Sequence, residues 1–240
     1  MLSYQHAYHA GNPADVQKHD ALARLIAALT VKPRPITYME THAGRGLYDL
    51  TSPEAQKTGE AAHGVLKIKP TGPYAEALAR VRAKHGPNAY PGSPLIAAEL
   101  LREDDQMHMM ELHPAENAAL RRVLDRASIH KRDGFEGVLA ISPPTPRKGL
   151  VLIDPSYEVK SDYAAVPAFV TKLLSRWAEA TILIWYPILP EARHKVLLDG
   201  LAAHEPQIWE VPVDLGKDKG MTGSGMVGIN LPWGYTLSAD

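Results

Sequence analysis

Apolar residues recur at helical spacing through residues 14–30 (ADVQKHDALARLIAALT), with Asn12 as a candidate cap and Pro33 and Pro35 closing the run. ITYMETHAGRG (36–46) reads as a short strand running into a glycine-containing turn. The pattern then changes. Residues 51–92 are rich in Gly, Pro, Ala, Lys and His, show one clear helix at 74–86, and read as an insertion. Alternation resumes with a helix at 93–103, which has Ser93 at its start and Pro94 just inside. A strand at 106–112, a helix at 114–127 and a short strand with a turn at 127–135 follow. A buried strand at 149–158 stops at a proline, and a helix at 161–177 is capped by Ser161 or Asp162. A strand at 181–189 and a helix at 190–203 precede QIWEVPVDL and GMVGINLPW, two strands with no helix between them. Strands separated by helices predict right-handed crossovers and a mostly parallel sheet, and the final pair predicts an antiparallel last strand. The expected fold is a doubly wound, Rossmann-like α/β domain made of residues 1–50 and 93–240, with 51–92 as a small inserted helical subdomain.

Composition narrows the chemistry. The 240 residues are 45% hydrophobic and 22% charged, as in an ordinary globular chain. The net charge of −1 gives no global basic field, so any nucleic-acid contact must come from local patches. No apolar run approaches a membrane span, and MLSYQHAYHAGN is too polar for a signal peptide, so the expected compartment is the cytoplasm. The chain has no cysteine, which excludes disulfides, zinc–thiolate sites, iron–sulfur clusters and cysteine nucleophiles. His6, His9 and His19 do not form a metalloprotease-type pattern, and no metal is expected.

In a doubly wound sheet the ligand lies beyond the carboxyl ends of the strands. Glu40-Thr41-His42-Ala43-Gly44-Arg45-Gly46 follows the first strand, and its two glycines let the backbone turn close to a ligand. Glu111 follows the second strand, where a carboxylate can accept both ribose hydroxyls of an adenosyl group. Asp133-Gly134 follows the third, with a carboxylate placed to accept from an adenine amino group, and Asp154-Pro155-Ser156-Tyr157 follows the fourth. A GxG turn or a strand-end acid is by itself an ordinary turn or helix cap; four polar groups at four successive strand ends are harder to explain that way. The loop lacks GK[ST] and does not fit GxGxxG, which favours S-adenosylmethionine (SAM) over ATP or NAD.

Asp-Pro-Ser-Tyr resembles the [D/N]-P-P-[Y/F/W] motif of amino-methyltransferases acting on adenine N6. The exocyclic amine is a poor nucleophile because its lone pair is delocalised into the ring. Asp154 and the Pro155 carbonyl could hold both amino hydrogens and localise that pair, and Tyr157 could offer a face on which an extruded adenine stacks. The plain alternative is a strand ending in a turn at Pro155, with Tyr157 in the core.

Leu2-Ser3-Tyr4, His6, His9-Ala10-Gly11-Asn12, Ala14-Asp15-Val16 and Lys18-His19 open a wider resemblance. It continues through Thr41-His42-Ala43-Gly44, Thr58-Gly59-Glu60, Tyr90-Pro91-Gly92-Ser93-Pro94-Leu95-Ile96 and Glu111-Leu112-His113-Pro114. Asp133-Gly134-Phe135, Asp154-Pro155, Trp185-Tyr186-Pro187 and Gly220-Met221-Thr222 complete it. Nearly end to end, the chain resembles the bacterial large-subunit (23S) ribosomal RNA adenine-N6 methyltransferase J family. The resemblance implies a class I SAM-dependent methyltransferase fold with an inserted helical subdomain, acting on one adenosine of naked or partly assembled rRNA. It places His19, His42, Ser93, Glu111, Asp133, Gly134 and Asp154 at the SAM site, Asp154 as catalytic acceptor, and Tyr4 at the substrate base. The family's second motif proline is Ser156 here. A monomer is expected. DNA adenine-N6 methylation, or a non-catalytic SAM- or RNA-binding module, are the alternatives. The lysines and arginines of 51–92 (Lys57, Lys67, Lys69, Arg80, Arg82, Lys84) are the preferred RNA-facing surface; Arg121, Arg122, Arg126, Lys131 and Arg132 read equally as a solvated face. Residues 1–10 read as a lid over the site mouth that contributes little core.

Overall fold

A computed structural model describes residues 5–216 and 220–238. Among them a seven-stranded sheet has the order β5-β4-β1-β6-β7-β9-β8. Its strands are β1 (Thr37–Glu40), β4 (Gln106–Met110), β5 (Ser128–His130), β6 (Gly149–Ile153), β7 (Thr181–Ile188), β8 (Gln207–Pro212) and β9 (Gly223–Ile229). β5, β4, β1, β6 and β7 pair in parallel, while β9 is antiparallel to both neighbours. The last strand is therefore reversed, as its sequence predicts, but it lies between β7 and β8 rather than at the edge.

The sheet has a core on each face, and alternation along each strand divides side chains between them. Leu150 and Leu152 of β6 and Tyr38 of β1 face the larger core with the helices α1 (Pro13–Thr30), α3 (Gly72–His85), α4 (Ser93–Leu100) and α5 (Pro114–Val123). Val151, Ile153 and Met39 face the other, under α6 (Gly134–Ile141), α7 (Asp162–Arg176) and α8 (His194–Leu201). β6, buried on both faces, is accordingly an unbroken apolar run. α1 starts as its sequence dictates: Asn12 Oδ1 accepts from the Asp15 amide at 2.9 Å, and Pro13 occupies the first turn.

The segment read as an insertion leaves the sheet slightly earlier than expected. β2 (Leu47–Asp49) pairs antiparallel with β3 (Ala89–Pro91) across its neck. Between them lie α2 (Pro53–Thr58), a 3-10 turn at Glu60–Ala62 and α3, whose Tyr74, Leu78 and Val81 join the larger core. No helix among the described residues is long and apolar enough to cross a membrane.

Two readings are corrected. The expectation that residues 1–10 contribute little core fails in their described part, because Ala7 and Ala10 are buried in the larger core. α6 was invisible as a helix because Gly134 and Gly137 lower its propensity by about 1 kcal/mol each. Packing requires both: a Cβ on Gly134 would lie 1.9 Å from the Thr41 carbonyl oxygen, and one on Gly137 2.6 Å from Met110 Sδ. Gly134→Ala should therefore push α6 off the end of β1. A loss of about 1–3 kcal/mol is expected, with Tm falling roughly 2–4 °C for each. An unchanged melting curve would contradict the close packing.

Candidate active site

The strand order reverses at β1, and beyond its carboxyl end lies a cavity of about 570 Å3. Its walls come from the α1 start, the turns after β1, β4, β6 and β7, and the segment after β8. The structure brings His19, His42, Ser93, Glu111, Asp154, Pro155, Ser156 and Tyr157 to it.

On the β4 side, the Gly44 amide donates to Glu111 Oε2 at 2.8 Å and the His113 amide to Oε1 at 2.7 Å. Gly44 has φ +65°, which only glycine adopts readily, and this aims its N–H at the carboxylate. Each oxygen has a second lone pair, so the fixed carboxylate can accept a pair of vicinal hydroxyls. Burial raises the Glu111 carboxyl above its ordinary range.

On the β6 side, Lys18 Nζ donates to Asp154 Oδ2 at 2.7 Å and lies 3.0 Å from Asp15 Oδ1. Asp15 Oδ2 in turn takes the Gly11 amide at 2.9 Å and lies 2.8 Å from His6 Nε2. Burial opposes charge on both buried partners, but their mutual attraction prevails. Asp15 is held well below the usual carboxylate range by His6 and Lys18, and Lys18 is raised by Asp15 and Asp154.

Beneath the cavity floor Glu40 is fully buried, accepting from Tyr38 Oη at 2.6 Å and Ser93 Oγ at 2.8 Å. Burial pushes its carboxyl up to about 8, against those two hydrogen bonds. Burial also lowers His19 to about 3 and holds His42 below its usual value. His19 Nδ1 sits 2.8 Å from the Tyr90 hydroxyl, which lies 3.1 Å from that of Tyr74.

Other expectations fare differently. Asp133 is exposed and outside the cavity; its Oδ1 accepts from the Glu136 amide and caps α6, while Gly134 is buried beneath Thr41. Tyr157 has φ +55°, is 5% exposed, leans on Tyr163 at 4.7 Å between centroids and donates to the Trp185 carbonyl at 2.8 Å. It is a wall of the cavity rather than an open stacking face. The half-buried Trp185 also lines the cavity, its indole donating to Ser224 Oγ at 2.9 Å. Tyr4 lies outside the described residues. Arg121 and Arg126 donate to main-chain carbonyls of Ile129 and of Ala98 and Leu101, so that basic run is partly structural.

The site residues that sequence reasoning missed are Lys18, Asp15 and Glu40; Trp185, which reads from sequence equally as a core residue or a pocket wall, lines the cavity. The signal for the first two was a Lys three residues after an Asp on a helix otherwise buried all round. That spacing turns both toward the same neighbour.

Arranged in this way, the cavity offers a fixed carboxylate for a diol, neutral imidazoles, and a charge-balanced carboxylate beside an aromatic wall. Its volume falls in the range of small-molecule sites. The set fits an adenosyl cofactor with a second, planar substrate.

A sequence profile for "Ribosomal RNA large subunit methyltransferase D, RlmJ" matches residues 33–238. Ribosomal RNA large subunit methyltransferase J of Escherichia coli (strain K12) is 40% identical over 247 residues, covering 97% of this chain and 88% of its own. The protein of that name from Haemophilus influenzae is 40% identical over 248 residues, with the same coverage. A crystal structure of a Legionella pneumophila protein superposes with TM-score 0.86 at 32% identity, over 95% of this chain and 88% of that one. The METTL16 MTase domain, at 8% identity and TM-score 0.50 over 92% of this chain and 66% of that one, shares the fold.

The buried Glu40 gives a test of the site's electrostatics. The folded protein keeps this proton to higher pH than the unfolded chain does. The linked stability is therefore complete below about 4.5 and is lost as pH rises towards about 8. Glu40→Gln keeps the shape and has no proton to lose. Its Tm should match wild type near pH 4.5 and exceed it by a growing margin up to about pH 8.5. A Tm difference that does not change with pH would show that Glu40 does not titrate there.

Proposed function

Because this chain belongs to the large-subunit ribosomal RNA methyltransferase family RlmJ, we propose that it methylates the N6 amino group of an adenosine in 23S rRNA, with SAM as donor. The observation that carries the reading is the convergence in one cavity of Asp154-Pro155, paired to Lys18, with the doubly anchored carboxylate of Glu111.

SAM supplies a methyl group activated on a sulfonium. Glu111 would hold its ribose hydroxyls, with His19, His42 and Ser93 along the cofactor side. Asp133, exposed outside the cavity, is given its role toward the cofactor's adenine by the family resemblance alone. Asp154 would accept from the target amine and take its proton as the N–C bond forms and the sulfonium S–C bond breaks, with S-adenosylhomocysteine as leaving group. Lys18 fixes that carboxylate and offsets its charge, so the acceptor needs no reorientation during transfer. Trp185 would offer a face to the base, and Tyr157, hydrogen-bonded to the Trp185 carbonyl, backs that wall. The family resemblance gives Tyr4 the role of reaching the substrate base. The expected setting is the cytoplasm, with free or partly assembled rRNA as partner.

Labelled SAM with unmodified 23S rRNA, and separately with DNA, tests the reading. Label in the RNA at N6 of adenosine supports it, label only in DNA supports the DNA alternative, and label in neither supports a non-catalytic binding module.

Asp154→Ala should lower turnover by roughly 10²–10⁴-fold, the usual contribution of a positioned proton acceptor, while SAM binding stays measurable by calorimetry. Near wild-type methylation would remove Asp154 from the chemistry. Glu111→Ala removes two charge-assisted hydrogen bonds worth about 1.5–3 kcal/mol each, so the KM for SAM should rise about 10²–10⁴-fold with a smaller change in kcat. An unchanged KM would contradict the ribose assignment.

A further inference from the structure

Resting on the RNA reading above, we infer that residues 64–69 of the insertion form an RNA-gripping loop at the site's rim. In it Lys67 and Lys69 hold phosphates, and Leu66 and Ile68 pack against the base stack that the target adenosine has left.

Leu66 is 64% and Ile68 41% exposed, and Lys67 and Lys69 between and beside them are exposed too. The loop is nevertheless held rigidly at its base. Val65 is buried and its amide donates to the Gly11 carbonyl at 2.9 Å. Gly64 lies so close to the α1 start that a Cβ would be 2.0 Å from the Gly11 oxygen. Glu60, just before the loop, lies 3.0 Å from His9 Nδ1 and accepts from Asn12 Nδ2 at 3.2 Å. His9, Asn12 and Glu60 all line the active-site cavity. On the other side the His63 ring lies against Gly216, whose neighbour Leu215 also lines it. A rigid base at the cavity rim thus presents two aliphatic side chains alternating with two ammonium groups.

The charges select the occupant. Between residues 55 and 75 the single acid is Glu60, which is buried and occupied as described. The exposed charges there are Lys57, Lys67 and Lys69, all positive, and Lys57 Nζ lies 5.6 Å from the centroid of Tyr8 in the segment that enters the site. Protein-binding patches are depleted of lysine at their centre, whereas lysines matched to phosphates with aliphatic wedges between base steps are how proteins hold distorted nucleic acid. An enzyme that acts on a base amine must have that base out of the stack, and the gap left behind needs an apolar filler.

Two double variants separate these roles on an unmodified 23S rRNA fragment. Lys67→Ala with Lys69→Ala should raise the RNA Kd about 5–10-fold at low salt. It should also make the slope of log K against log salt shallower by about 1.4, the value for two contacts to single-stranded phosphates. Leu66→Ser with Ile68→Ser should leave the RNA Kd within about twofold. Its kcat/KM should fall at least about tenfold on the folded fragment and far less on a short unstructured oligonucleotide, where nothing need be unstacked. RNA binding is read without turnover, so a wild type that binds RNA but transfers no methyl counts against the proposed activity and not against the loop. An unchanged salt slope in the lysine variant would overturn the grip, and equal losses on both substrates, or on neither, the wedge. A drop in Tm or SAM affinity in the serine variant would show structural side chains, and loss of a wild-type dimer would show a self-interface; either overturns the proposal.

Discussion

The buried ammonium of Lys18, held between Asp15 and Asp154, is the constraint on which the site's geometry depends. A charge taken this far out of water is tolerated only with partners in place, and removing one from such a group typically destabilises by about 3–5 kcal/mol. Its position on α1, in the second turn past the Asn12 cap, therefore dictates much else. Asn12 must start the helix there, Gly11 must turn with positive φ so that its amide reaches Asp15, and the β6 strand must stop at Ile153 so that Asp154 points across. The helix start and the loop after β6, 136 residues apart in sequence, are fixed to each other by this one cation.

Much of the scaffold was legible because local rules agree with the global fold. α1, its Asn12 cap, the apolar run of β6 and the acid after β4 are each dictated within a few residues, and the carboxyl-end rule then gathers the strand ends into one place. What was illegible is what distance or packing decides. Lys18 looked like one more polar residue because its partner lies across the sheet. α6 was hidden by glycines whose role appears only when Thr41 and Met110 are seen against them. Glu40 read as a turn residue, yet it sits under Ser93 in full burial, and nothing near it in sequence announces that. The aromatic of the Asp-Pro-Ser-Tyr motif could be read as platform or as core; its left-handed backbone turns it towards Tyr163, which no propensity would foretell.

The division of the sheet into two cores also explains how the site can be both stiff and accessible. The strands that carry Glu40 and Asp154 are gripped on both faces, so their ends scarcely need support from the loops. The loops are then available for recognition, and polar links join them in series: Lys18 to Asp15, Asp15 to His6, and His9 to Glu60. His19, Tyr90 and Tyr74 form a second line from the cavity into α3, so the insertion is tied to the cofactor side by hydrogen bonds as well as by the apolar core.

The joint between Gly11 and Gly64 is made of main chain on main chain. Contacts of that kind carry no information about neighbouring side chains, so drift in the exposed residues after it leaves the joint unchanged. At this joint the loop after Gly64 is thus mounted on a coupling indifferent to what it displays. The exposed residues of that loop can change in length or chemistry while Asp154 stays where it is. The two glycines themselves are the fixed points of that freedom, since a single methyl at Gly64 would collide with the backbone that starts α1.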